Sequence, residues 1–210
     1  MTEAIKAEML NFPRKTKPKS AENLPMFVGF CDGSLSAHSA VVYVRWSMFE
    51  PNDNGSNFSV SILCAKAKVT PANGQTTPKL ELNGATLLSR LIKSAVRASV
   101  DKPSQVICVG DSQCVIASLE MSSSKFKPFF MNRISEIRSN LDEIKSLYSV
   151  EEFQYISGKL NPADLATCEN GKLERIGVNS EWQSPSFLKQ DRENWLITRN
   201  FIEQMSQWRK

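Results

Sequence analysis

The sequence predicts an α/β domain on one five-stranded mixed sheet, an antiparallel meander joined to parallel strands, with helices on both faces. Three observations predict it. Three strand-like runs follow one another between turn residues, the spacing of apolar residues turns helical after residue 78, and residues 106–110 form a short, wholly apolar run. A meander followed by β-α units implies a single mixed sheet rather than two separate layers.

The elements follow in order. Residues 26–31 are apolar and stop at Asp32-Gly33-Ser34, a turn signal. Residues 40–46 are rich in Val and aromatic side chains, residues 50–57 in Asn, Gly and Pro, and residues 58–69 alternate loosely, so two further strands flank a loop. From 78 to 100 the apolar positions are Leu80, Leu87, Leu88, Leu91, Ile92, Ala95 and Val96, one face of a helix with Pro78 in its first turn. Residues 106–110 suit a buried central strand. Asp111-Ser112 caps a helix to about residue 119. After a polar break at 122–127, residues 129–148 read as a long amphipathic helix, 151–156 as the fifth strand, and Asn161-Pro162-Ala163-Asp164 as the start of a last short helix. Three stretches emerge: a basic lead-in at 1–23, the domain at 24–170, and an extension at 171–210. The extension carries Trp182, Trp195 and Trp208 and is expected to pack on or beside the domain.

Composition narrows the function. The chain has 210 residues, 41% hydrophobic and 23% charged, as in globular proteins, with a net charge of +4 compatible with an anionic partner. No apolar run approaches the ~20 residues of a membrane span, so no membrane association is expected. Five cysteines at 31, 64, 108, 114 and 168 include no C-x-x-C pair, which argues for a reducing, cytoplasmic setting. The single histidine, His38, excludes a centre built from several imidazoles. Cys31 and Cys108 read as small buried hydrophobes on strands.

Four carboxylates stand where stability alone would not put them. Asp32 and Asp111 end apolar strands, Glu81 lies between Leu80 and Leu82 in a helix's first turn, and Asp164 opens the last helix. Taken singly, Asp111 is explained as a cap, Asp164 as a dipole partner and Asp32 as a turn residue. Glu81 has no such reading, and the conjunction carries the weight. All four end or open core elements and can converge at one end of the sheet. Converging carboxylates repel and desolvate one another unless a cation sits among them. Hard oxygen ligands suit Mg²⁺ or Mn²⁺, and two such ions about 3.5–4 Å apart clamp both oxygens of an in-line phosphoryl displacement.

On these residues the chain resembles the ribonuclease H domain of long-terminal-repeat retroelement polyproteins, of the Bel/Pao group in particular. The resemblance rests on Phe30-Cys31-Asp32-Gly33-Ser34, Pro78-Lys79-Leu80-Glu81-Leu82, Gly110-Asp111-Ser112-Gln113 and Asn161-Pro162-Ala163-Asp164-Leu165-Ala166. Phe12-Pro13-Arg14, Asn132-Arg133-Ile134 and Pro185-Ser186-Phe187-Leu188 extend it over roughly residues 10 to 197. The resemblance implies a ribonuclease H-like fold and endonucleolytic cutting of the RNA strand of RNA–DNA hybrids, leaving 5′-phosphate and 3′-hydroxyl ends. It implies two Mg²⁺ ions, Mn²⁺ being the alternative, held by Asp32, Glu81, Asp111 and Asp164. It implies substrate contacts at Gly33, Ser34, Asn83, Ser112 and Gln113, with Lys125, Lys127 and Arg133 on the basic side. A reverse transcriptase domain in the same polyprotein and a retroelement particle belong to the same expectation.

The chain departs from the family pattern in three places. Ser157-Gly158-Lys159-Leu160 holds no histidine, Thr167-Cys168-Glu169 stands where Ser-Arg-Gly is usual, and the basic protrusion is reduced to Lys125 and Lys127. Weak hybrid binding in isolation is therefore expected. The order Asp, Glu, Asp, Asp differs from the Asp, Asp, Glu of integrases, and no Tyr-x-Asp-Asp polymerase motif is present. The alternative reading is a domesticated, non-catalytic module that binds hybrid or a protein partner.

Overall fold

The computed structural model describes residues 16–51, 55–70, 75–122, 126–167 and 180–198. Its elements are β1 (Met26–Gly33), β2 (Ala37–Ser47), β3 (Phe58–Val69), α1 (Thr77–Ala98), β4 (Gln105–Gly110), α2 (Gln113–Glu120), α3 (Pro128–Lys145), β5 (Ser149–Ile156) and β6 (Ile197–Thr198). They form one sheet in the order β3-β2-β1-β4-β5-β6. β1, β2 and β3 pair antiparallel, β1 with β4 and β4 with β5 pair parallel, and β6 returns antiparallel to β5. The mixed sheet is thus as expected, but among the described residues it has six strands, not five. The sixth strand is two residues long and comes from the extension, too short to leave a periodic signal.

Alternation along the central strands divides the core in two. Phe27, Cys31, Val42, Val44, Val106 and Cys108 face α1, α2 and α3. Val28, Phe30, Val41, Tyr43, Ile107 and Val109 face the other way and are covered by Ala163, Leu188 and Trp195. Helices on both faces therefore hold only in an altered form. Among the described residues all three α-helices share one face, and the other is covered by 3-10 turns at Pro162–Ala166, Ser186–Lys189 and Arg192–Asn194. The last helix expected at Asn161 is the first of these turns.

The long helices behave as amphipathic elements should, with Leu80, Leu88, Ile92 and Val96 of α1 and Ile134, Ile137, Leu141 and Ile144 of α3 buried. Each has Pro in its first turn, where the missing N–H costs nothing. Asn140 donates to the Ser89 hydroxyl at 3.2 Å in the seam between them, and Arg90–Glu136 and Lys93–Glu143 pair along its rim. The Phe126, Phe129 and Phe130 rings contact one another and pack partly buried on this core. Two boundaries differ in ways that matter below. β1 runs on through Asp32 to Gly33, and the cap of α2 is Ser112, whose hydroxyl accepts the Val115 N–H at 3.3 Å. None of the described helices is long and apolar enough to cross a membrane.

The clasp over the second face is polar at its centre. Arg45, in a strand of Val and aromatic residues, is buried with its guanidinium 3.5 Å from the Phe58 ring centre and 5.2 Å from that of Trp195. It donates to the Leu188 and Gln190 carbonyls at 2.8 and 2.9 Å. Arg192 pairs with Glu151 at 2.6 Å. Trp195 and Leu188 therefore anchor the extension, while Trp182 is half-buried, its carbonyl accepting from the Tyr43 hydroxyl. Trp208 lies outside the described residues.

Candidate active site

β1 and β4 are adjacent parallel strands in register, Cys31 opposite Gly110. Asp32 and Asp111 each follow that pair by one residue, so both carboxylates emerge side by side at the C-terminal ends of neighbouring strands. Open α/β sheets place their ligand sites at such ends.

Glu81 reaches the same point because α1 starts directly on the end of β1. Two glycines permit it. A Cβ on Gly33 would lie 2.6 Å from the Glu81 amide nitrogen and closer still to the Leu80 carbonyl, and one on Gly84 would lie 2.5 Å from the Asp32 carbonyl oxygen. Only backbone meets backbone there, so helix and strand touch without intervening side chains. Gly33 is buried by this contact and lines the same small cavity as the carboxylates.

Asp32, Glu81 and Asp111 line one small cavity with Gly110, Ser112, Val115 and Phe153, of about 10 Å³. Among the described residues none of the three forms a salt bridge. Neutral donors hold them instead. The Ser112 hydroxyl donates to Glu81 at 2.6 Å, the Thr167 hydroxyl donates to Asp32, and the Asn161 side chain hydrogen-bonds to Asp111. Gly158 brings its backbone against Asp111, where a Cβ would stand 3.0 Å from the carboxylate oxygen. Burial, followed by the charges of Asp32 and Glu81, pushes the Asp111 carboxyl up from 3.8 to about 6. The Cys31 thiol, buried beside these carboxylates, is pushed well above its ordinary value and donates to the Val109 carbonyl at 3.6 Å. It is a neutral core side chain.

Asp164 is not in that cavity. It is half-buried on the Pro162–Ala166 turn and lines a neighbouring cleft of about 420 Å³ with Leu160, Trp182 and Phe187. The turn is nonetheless stitched to the meander. Asn161 donates to the Cys31 carbonyl at 2.9 Å, Ser39 to the Ala163 carbonyl at 2.7 Å, and Ser34 to the Thr167 carbonyl at 2.8 Å.

The expected substrate residues divide. Ser34 is committed to this stitching and Ser112 to Glu81 and the α2 cap, while Asn83 donates to Gln75 at 3.1 Å. Gln113 is half-buried at the start of α2, and Lys127 is exposed ahead of Pro128. Arg133 pairs with Glu136 at 3.3 Å and lies 5.7 Å from the Phe129 ring centre. Lys125 lies outside the described residues. His38 sits within β2 opposite Gly33, half-buried, its imidazole pushed down by burial and then by Lys68 and Arg133. Sequence reasoning missed Thr167 and Asn161 as site residues. A hydroxyl and an amide immediately flanking the Asp164 turn were the signals available.

The donor set is chemically that of a hard divalent ion: carboxylate oxygens held by neutral hydrogen-bond donors, with one carboxyl raised by burial and then by its neighbours' charge. Among the described residues the carboxylates do not gather as a ready cluster of three ligands around one point.

The profile of the family described as Pao retrotransposon-like RNaseH-like domain matches residues 1–112. Among solved structures, the N-terminal RNase H domain of a Mycobacterium tuberculosis protein, fused to maltose-binding protein, is 14% identical, with 68% of this chain and 96% of that one covered and a TM-score of 0.43. A compost-metagenome RNase H1 solved in complex with RNA/DNA hybrid is 12% identical, with 65% and 88% covered and a TM-score of 0.41. RNase H1 of the archaeon Halobacterium salinarum is 12% identical, with 63% and 85% covered and a TM-score of 0.36. No curated protein sequence matches the chain significantly.

Proposed function

The chain belongs to the family of Pao retrotransposon-like RNase H-like domains, and from that premise we propose that it cuts the RNA strand of RNA–DNA hybrids during retroelement reverse transcription. The observation that carries this reading is the meeting of Asp32, Glu81 and Asp111 at the ends of β1, α1 and β4, held by neutral donors and by no cation among the described residues. A cluster built only for stability would pair its charges; this one leaves them for a ligand.

In this reading Asp32, Glu81, Asp111 and Asp164 hold two Mg²⁺ ions, or Mn²⁺. Bound there, the ions would supply Lewis acidity at the scissile phosphate and an activated water, giving 5′-phosphate and 3′-hydroxyl ends. The chain's own residues do the rest. Ser112 holds Glu81, Asn161 holds Asp111, and Thr167 with Ser34 holds the Asp164 turn against β1. Gln113 and Asn83 would contact the hybrid's minor groove, where a 2′-hydroxyl distinguishes RNA from DNA. Lys127, just ahead of α3, and Arg133 on it would meet the phosphates. A reverse transcriptase domain in the same polyprotein would supply the hybrid, in the cytoplasm or a particle.

The test is cleavage of an end-labelled hybrid in Mg²⁺ and, separately, in Mn²⁺, beside Asp111→Asn, with duplex DNA and duplex RNA as controls. Cutting of the hybrid's RNA strand alone is expected, with at least about a 100-fold loss in Asp111→Asn, since even outer partners of a metal site cost 10–100-fold. The position of Asp164 in a neighbouring cleft favours one other reading, a non-catalytic hybrid-binding module. Folded protein that binds hybrid and cuts in neither metal would establish that reading instead.

A further inference from the structure

We propose that Thr167 is a positioning residue of the carboxylate end, fixing Asp32 and the Asp164 turn relative to one another through a single buried side chain. The inference rests on the metal-site reading above and adds a residue that neither the acidic pattern nor its spacing assigns.

The geometry is specific. Thr167 is 2% exposed and stands 135 positions from Asp32 in the chain. Its hydroxyl has one proton and two acceptors in reach, the Asp32 carboxylate and, at 3.0 Å, the Asp164 carbonyl. The charged acceptor is the stronger one. The carbonyl has its own donor as well, because the Thr167 N–H reaches it at 3.0 Å. The Thr167 carbonyl in turn accepts from Ser34 at 2.8 Å. The hydroxyl and the carbonyl of the residue thus reach the end of β1, while its N–H closes the Asp164 turn. A β-branched side chain restricts χ1, which fixes where the hydroxyl points.

A neutral donor at this place has a chemical reason. A lysine or arginine would orient Asp32 equally well but would neutralise it and compete with a bound cation. A hydroxyl orients the carboxylate and leaves its charge available. Ser112 treats Glu81 in the same way. Outer partners of metal-ligating carboxylates act by this kind of orientation.

The test is calorimetric titration of the full chain with Mn²⁺, for the wild type, Thr167→Val, Thr167→Ser and Asp32→Asn, with metal-free melting temperatures alongside. Valine keeps the volume and branching and removes the hydroxyl; serine restores it. Thr167→Val should weaken Mn²⁺ binding about 10–100-fold, Thr167→Ser should stay within about threefold of wild type, and Thr167→Val should add nothing in the Asp32→Asn background. If the valine variant does not fold, Thr167→Ala against Thr167→Ser makes the same comparison. Wild-type affinity in Thr167→Val, or equal losses in the valine and serine variants, would overturn the inference while Asp32→Asn still weakens binding. A wild type that binds no Mn²⁺, or binds it undiminished in Asp32→Asn, would overturn the metal-site reading and this inference with it.

Discussion

At the clasp over one sheet face, Arg45 is stacked against Phe58 and Trp195, its guanidinium donating to two carbonyls, and Arg192 is paired with Glu151. At the C-terminal ends of β1 and β4, three carboxylates share one cavity, and among the described residues only neutral groups hold them. Both regions bring ionisable groups out of water. Only the clasp compensates them with opposite charge, π faces and carbonyls, as stability requires. The difference teaches that the chain is able to satisfy buried charge and does so where the task is holding its extension in place. It leaves a surplus of negative charge at the proposed metal site.

The largest expected effect breaks the clasp. Trp195→Ala removes the ring that covers both Arg45 and Arg192 and should cost about 3–5 kcal/mol in denaturant unfolding, while the molecules that remain folded keep their cleavage rate. A proportional loss of rate per folded molecule would mean that the clasp serves the site directly. Next comes the seam that brings Glu81 to Asp32. Gly84→Ala places a Cβ on the Asp32 carbonyl and should cost about 1–3 kcal/mol. Here the loss of cleavage should exceed the loss of folded protein, because helix and strand must part to admit the methyl.

These regions were unequally legible in the sequence. The meander, α1 and β4 could be read because each is a local pattern of apolar alternation or helical spacing, and Asp32, Glu81 and Asp111 stood out as acids beside apolar runs, whereas the separate cleft of Asp164 left no such pattern. The clasp could not be read. Arg45 sits in a run of Val and aromatic residues, and its partners Leu188, Gln190 and Trp195 lie more than 140 positions away. The close approach of α1 at Gly33 could not be read, because a glycine that admits a ligand and one that admits a helix backbone look alike in sequence. Thr167 offered only a hydroxyl beside the Asp164 turn, and its role, like that of Arg45, lies in long-range hydrogen bonds.

A smaller effect sharpens the comparison through pH. The folded Asp111 carboxyl lies near 6, above its ordinary 3.8, so the metal-free folded state binds more protons than the unfolded state between those values. Its contribution to stability is full below about pH 4, is lost as pH rises through about 6, and is absent at pH 7. The metal-free melting temperature should therefore carry a downward component over that window, and Asp111→Asn should remove it. A component of opposite sign would mean that the carboxylates are stabilised as they stand.

The most direct test compares melting temperatures of wild type and Asp111→Asn, each without metal and with millimolar Mg²⁺ at pH 7. Without metal, Asp111→Asn should melt at or above wild type, because a repelling charge has gone. With Mg²⁺ the order should reverse, since only a chain with its ligands intact gains stability from an ion that binds the folded state. An Asp111→Asn protein that melts below wild type without metal, with no Mg²⁺-dependent gain in either, would contradict the claim that these carboxylates are kept apart from cations for function.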